Sequence, residues 1–261
     1  MVPTAINLKD FFSNLVLKQK YVCRFRSTTI HYLRNKMSAN RECTRNVDIL
    51  YAGKIKDLFV FDVFTQKVIF TQDNVLLDER LLSKKLYAFG DVLLGVNEKG
   101  EISKIFNLKE MLQEWEETKS KLRKDYMGIE FEGFLSDITA VLESEEKTIT
   151  YLKSKNMFGM YFHGLWGKND VQNTPVKRKE KIAVFRNTEI TEEIRTDNKI
   201  REFIISAQKS DDHPNKIIST VEEINHYKGR IIYNQKNELL EGFTEIENNS
   251  KKIIHSVVWV G

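Results

Sequence analysis

The sequence predicts an α+β protein: one or more large curved antiparallel sheets, built from an N-terminal and a C-terminal meander, with a central helical block packed on one face. Three observations carry this. Sustained helix periodicity is confined to 107–167, and strand-like alternation lies on both sides of it. The strand-like runs follow one another across short turns, and a parallel crossover needs a dozen or more residues, so neighbours must be antiparallel. Finally, 16 Phe and 9 Tyr exceed what a helical bundle needs and suit a pleated face lined with rings. Strand runs around segregated helices define α+β, not doubly wound α/β.

A chain of 261 residues can bury enough surface to fold without disulfides or metals. Only three prolines occur, no low-complexity linker interrupts the chain, and no 20–50-residue period repeats. We therefore expect a single domain over 1–261: mainly β over 1–106, helical over 107–167, a loop over 168–181 and mainly β over 182–261. Two sheets in two domains that meet at the helices are the alternative.

Taken in order, Asn7 caps a short helix with Leu8, Phe11, Phe12 and Leu15 on one side. Tyr21, Cys23 and Phe25 then alternate with Val22, Arg24 and Arg26, which predicts a strand. Alternation resumes through Val47, Ile49 and Tyr51, and Ala52-Gly53-Lys54 reads as a turn. Strands follow at 58–64 and 67–71 with a bend at Thr65-Gln66, and five leucines suggest a helix over 75–87. Val92, Leu94 and Val96 lead into the hairpin turn Asn97-Glu98-Lys99-Gly100 and a return strand over 102–106.

Asn107 stands as N-cap of the first long helix, with Glu110 in the capping-box position. Leu108, Met111, Leu112, Trp115, Leu122 and Tyr126 form its apolar stripe. Gly128 separates a second helix carrying Phe131, Phe134, Leu135, Ile138, Val141 and Leu142. Ser144 starts a third, where Glu145 and Glu146 meet the positive end of the helix dipole. The stretch 157–166, MFGMYFHGLW, is apolar nearly all round and reads as core in preference to a contact surface. The polar run 168–181 contains Pro175, ends in KRKEK and reads as a long loop. Beyond it, strands are expected at 182–185, 190–195, 200–207, 217–224, 230–233, 239–246 and 253–260. Turns at 211–214, Lys228-Gly229 and Lys236-Asn237 join several of them. In its order of elements the chain resembles bacterial half-barrel carriers with helical lids, such as lipoprotein carriers. The likeness is one of outline, with no shared motif, and fold alone does not give function.

The chemistry is defined mainly by exclusion. A formal charge of +4 is spread over 41 basic and 37 acidic residues, so no nucleic-acid partner is expected. Cys23 and Cys43 form no Cys-x-x-Cys pair and read as reduced; with five scattered His they make no zinc site, and neither metal nor cofactor is expected. Lys9 and Asp10 interrupt the N-terminal apolar region, and no run approaches 18 apolar residues. The expected location is cytoplasmic, with an exported mature form freed of its leader as the alternative. Phosphate-loop, dinucleotide, nucleophile-elbow, zincin and EF-hand patterns are all missing from the sequence. The basic runs 119–124 and 177–181 could contact phosphates but read in preference as solvated surface. Glu143, Glu145 and Glu146 give no spacing that selects an acid–base pair. His163, set among apolar residues, would have its pKa lowered by desolvation and could act as base or ligand; bonding of its ring nitrogens to nearby backbone is the plainer expectation.

These observations favour a non-enzymatic binding protein that uses a cavity or surface between sheet and helices, with an apolar small molecule as first candidate. Trp115, Phe158, Tyr161, Phe162 and Trp166 are the expected lining. The alternative is a protein–protein interaction module, such as a secretion-system accessory or a toxin-neutralising partner. An enzyme whose residues assemble only in three dimensions comes third.

Overall fold

Period-two alternation in the sequence becomes one continuous antiparallel sheet in the structure. This is a computed structural model that describes residues 15–34, 36–73, 75–76, 87–166, 175–182, 185, 188–197, 202–209, 224–236 and 238–261. The N-terminal meander comprises β1 (Lys20–Leu33), β2 (Lys36–Ile55), β3 (Leu58–Gln72), β4 (Val75–Leu76), β5 (Asp91–Val96) and β6 (Ile102–Ile105). The helices α1 (Leu108–Asp125), α2 (Ile129–Leu142) and α3 (Glu145–Leu152) follow. The C-terminal meander comprises β7 (Val176–Ile182), β8 (Thr188–Asp197), β9 (Glu202–Lys209), β10 (His226–Tyr233), β11 (Leu239–Glu247) and β12 (Lys251–Trp259).

The strand order is β6-β5-β3-β2-β1-β12-β11-β10-β9-β8-β7, with β4 paired to the end of β3. Each meander is therefore sequential, and the two halves join where β1 pairs with β12 in the register Phe25↔Val257. That seam makes one sheet of both halves, so the described residues form a single curved sheet with the helices on one face.

The inner face is read directly from the alternation. Tyr21, Cys23 and Phe25 of β1, Val47 and Ile49 of β2, Phe61 and Val63 of β3, and Ile253 and Val257 of β12 are buried. Each such side chain contributes about 1.5–3 kcal/mol of transfer free energy. On α1 the stripe buries Met111, Trp115, Thr118 and Leu122. α1 lies against β5 and α3 against β6, so the regular helices cover one end of the sheet.

Several sequence expectations change. The helical block ends at Leu152; 153–166 is a succession of turns and not a helix, and within it 157–166 is largely core, as expected. Asn107 precedes α1 without a side-chain capping bond. Its Oδ1 instead accepts from Leu93 N–H at 2.8 Å and its Nδ2 donates to the Asp91 carbonyl at 3.1 Å, tying the helix to β5. Ser144 does cap α3, its Oγ accepting from Lys147 N–H at 3.4 Å. Gly53 is no turn residue: β2 continues through it with a bulge, at φ 117°, and the chain reverses at Lys56-Asp57. Thr65-Gln66 is likewise a bulge within one long β3, and Lys228-Gly229 lies inside β10. KRKEK, expected in a loop, is strand β7, paired to β8 along its length. The expected helices at 7–17 and 75–87 and the strand at 217–224 fall almost wholly outside the described residues.

Candidate binding site

The irregular stretch 153–166 lies over the inner face, touching Phe25 of β1, Arg45 of β2 and Phe61 of β3 as well as Phe203 of β9 and Tyr233 of β10, and the candidate site lies where it meets edge strand β7. The stretch crosses the sheet as a strap held by polar contacts. Arg45, in phase with Val47 and Ile49 on β2, is buried; its guanidinium donates to the Asn156 and Met157 carbonyls and to Tyr87 Oη, and stands 5.7 Å over the Phe158 ring. No carboxylate pairs with it among the described residues, and its buried Nε has no hydrogen-bond partner. At the other end, Arg178 of β7 donates from Nη1 to the His163 carbonyl at 2.6 Å. Two guanidiniums thus satisfy carbonyls of a segment that has no regular hydrogen-bond ladder.

Between these anchors lies a charged cluster. Lys155 pairs with Glu180 of β7 and, at 2.8 Å, with Glu192 of β8. Arg178 Nε reaches Glu192 at 2.5 Å, and Tyr227 of β10 donates its hydroxyl proton to Glu192. Glu192 is fully buried. Burial pushes its carboxyl up, but Lys155 and Arg178, with the bonds from Lys155 and Tyr227, outweigh this and hold it well below the usual carboxylate range. Glu180 moves the opposite way: burial raises it and the neighbouring Glu192 charge adds to that, with Lys155 only partly offsetting. The pair thus holds one firmly ionised carboxylate and one that keeps its proton more readily. Glu101, Lys153, Lys155, Gly159, Phe162, His163, Arg178, Lys179 and Glu180 line an open cleft of about 180 Å³.

His163 is buried beneath this cleft, and its proton can be placed. Leu165 N–H donates to Nδ1 at 3.1 Å, so the neutral ring carries hydrogen on Nε2, which bonds Tyr233 Oη. The Trp166 indole N–H, 3.1 Å from Nε2, then directs its hydrogen to the same tyrosine oxygen. Burial, with the Arg178 charge second, lowers the His163 pKa to about 3. Both ring nitrogens are engaged, leaving no lone pair for a base or a ligand. The expectation that the ring nitrogens bond nearby backbone holds for Nδ1, while Nε2 meets the Tyr233 side chain of β10 instead.

The five aromatic residues expected to line a site occupy three places. Tyr161, Phe162 and Trp166 pack edge-on or tilted against one another with centroids 4.9–5.7 Å apart, and Phe61 joins them from β3. Phe158 sits apart, edge-on to Phe25 at 5.5 Å. Trp115 lies between helices, donating to Thr139 Oγ1 at 2.9 Å with its ring against Phe134. All five are at most 5% exposed, and of these Phe162 lines the cleft.

Sequence reasoning missed Arg45, Lys155, Arg178, Glu180 and Glu192. A signal existed for two of them. Arg45 keeps phase with Val47 and Ile49, and Glu192 stands between Ile190 and Ile194, so each charge occupies an inward position of its strand. Lys155 lies in irregular chain and gave none. Both cysteines are free thiols. Among the described residues no group of three or more His, Cys, Asp or Glu is placed to hold a metal. No helix among them is long and apolar enough to cross a membrane.

No family model matches the chain. No curated protein matches it either. Among solved structures it is similar to lipovitellin, from a study of lipid–protein interactions in that protein, at 9% identity and a TM-score of 0.47, over 95% of this chain and 25% of that one. It is also similar to a DUF1329 family protein from Desulfovibrio piger, at 8% identity and a TM-score of 0.21, over 97% of this chain and 89% of that one. The chain thus spans a quarter of the lipovitellin chain. Both scores are too low to carry function from one molecule to the other, so the site is read from its own residues.

Proposed function

We propose that this chain is a non-enzymatic binding protein whose ligand enters the cleft between 153–163 and β7 and rests its apolar part on the aromatic layer behind. The observation that supports this most is the position of Phe162. It lines the cleft, and its ring packs at 5.3 Å on Phe61 and at 4.9 and 5.6 Å on Tyr161 and Trp166. An apolar group in the cleft therefore meets the same layer that fills the inner face. The cleft is smaller than the roughly 300–1,000 Å³ of drug-sized sites, which favours a small ligand or a short apolar segment.

Native mass spectrometry of gently purified protein tests this. A bound mass that disappears on denaturation supports the reading, and Phe162→Leu should reduce retention while the far-UV CD spectrum stays folded. A bare chain in every preparation, with retention indifferent to Phe162, would refute it.

A second reading is an interaction module, and one observation favours it. Met127 and Ile129, either side of Gly128 at the corner between α1 and α2, are 90% and 94% exposed, with Phe134 nearby on α2 at 45%. A partner that covers this corner would protect the α1–α2 amides from hydrogen exchange, and the absence of such protection in cell extract counts against it.

A further inference from the structure

We propose that the cleft between 153–163 and β7 is an oxyanion site that holds the carboxylate or phosphate end of its ligand. The inference rests on reading that cleft as the binding site and adds the chemistry of the group bound there. Three cationic side chains, Lys153, Lys155 and Arg178, line it against two carboxylates, Glu101 and Glu180, with Glu192 behind; Lys179 borders the cleft but turns its ammonium outward to Glu189. What matters is which of these groups have hydrogen-bonding capacity left.

The acids are engaged. Glu180 and Glu192 share Lys155, Glu192 also takes Arg178 Nε and Tyr227 Oη, and Glu101 accepts from the Asn97 side chain at 3.1 Å. The cations are not all spent. Arg178 uses Nε on Glu192 and Nη1 on the His163 carbonyl, which fixes the guanidinium plane and leaves Nη2 without a partner among the described residues. Lys153 is exposed and has no ion pair or hydrogen bond from its ammonium among the described residues. A guanidinium held rigid by two bonds, with a further donor at an open cleft, meets a carboxylate or phosphate at low entropic cost. A cation would find Glu180 and Glu192 already paired with Lys155 and Arg178, and Glu101, bonded to the Asn97 amide, as the one lining carboxylate without an ion pair among the described residues. With a water occupying about 30 Å³ of liquid, the volume admits a phosphate-sized head and a few methylene groups, which then lie toward Phe162.

Calorimetric titration of the full chain with octanoate, octanol and inorganic phosphate tests this, using Lys153→Gln and Arg178→Gln beside the wild type. We expect octanoate to bind at least about tenfold tighter than octanol. Lys153→Gln, a surface change, should weaken octanoate about two- to fivefold without moving the thermal midpoint. Arg178→Gln should weaken it tenfold or more, compared only if its far-UV CD is native. Octanol binding as well as octanoate, or octanoate binding indifferent to Lys153, overturns the oxyanion site and leaves the apolar reading standing. Phosphate binding that depends on Lys153 while neither octyl compound binds upholds the oxyanion site and removes the apolar reading. No binding by any of the three removes both.

Discussion

Acidification should unfold this protein through two histidines. His163 and His255 are both buried on the inner face, and both have pKa values lowered to about 3. Desolvation dominates each; Arg178 adds to it at His163, and Lys155 and Arg45 at His255. In the unfolded chain each ring titrates near 6.5, so between the two values the unfolded state binds a proton that the folded state refuses. Stability is therefore complete above about pH 7 and is lost as pH falls through the window from about 6.5 to 3. At pH 5 the gap to the unfolded value is about 1.5 pH units, worth about 2 kcal/mol per histidine, provided only that the folded value lies well below 5. Glu180, whose carboxyl is raised by burial, acts in the opposite sense and offsets part of this. We expect the unfolding free energy from urea titrations to fall by about 3–4 kcal/mol between pH 7.5 and 5. His255→Asn should lose about half of that slope. A free energy that is flat or rises over this interval would refute the neutral, buried assignment of both rings.

The charged cluster gives a second prediction. Lys155→Met leaves Glu180 and Glu192 without their shared cation, and removing one member of a buried pair costs about 3–5 kcal/mol in equilibrium unfolding, whereas a loss under 1 kcal/mol would show that the cluster is solvated. Gly100 gives a third. It turns the β5–β6 hairpin at φ 81°, and a Cβ there would stand 2.4 Å from Trp166 Cδ2. Gly100→Ala should cost more than the ~1 kcal/mol of left-handed strain alone, and red-shift the tryptophan emission as the Trp166 packing loosens; an unchanged spectrum with native stability would be the contrary result.

The antiparallel class and the identity of most inward-facing residues follow from the sequence itself, because a strand's period of two assigns faces without reference to anything distant. Tyr21, Cys23 and Phe25 show this, as do Val92, Leu94 and Val96. Helix boundaries at Gly128 and Ser144 were equally legible, since glycine and caps act locally. Turns were less so. Gly53 and Lys228-Gly229 have turn composition, yet long pairing with β3 and β11 carries both through as strand. Ladder hydrogen bonds to a distant partner outweigh local preference.

The site depended on tertiary structure almost entirely. Within KRKEK the sequence shows charge but not its partners. Pairing with β8 turns Arg178 and Glu180 to the inner face and Lys177, Lys179 and Lys181 outward, and only the fold brings Lys155 and Glu192 to meet them. Likewise, the sequence shows an aromatic run from Met157 to Trp166 but not that turns, anchored by Arg45 and Arg178, lay it over the sheet. Hydrophobic patterning is local and survives in one dimension. Compensation of buried charge is a contact between residues far apart in the chain, and it exists only once the two meanders have closed at β1 and β12.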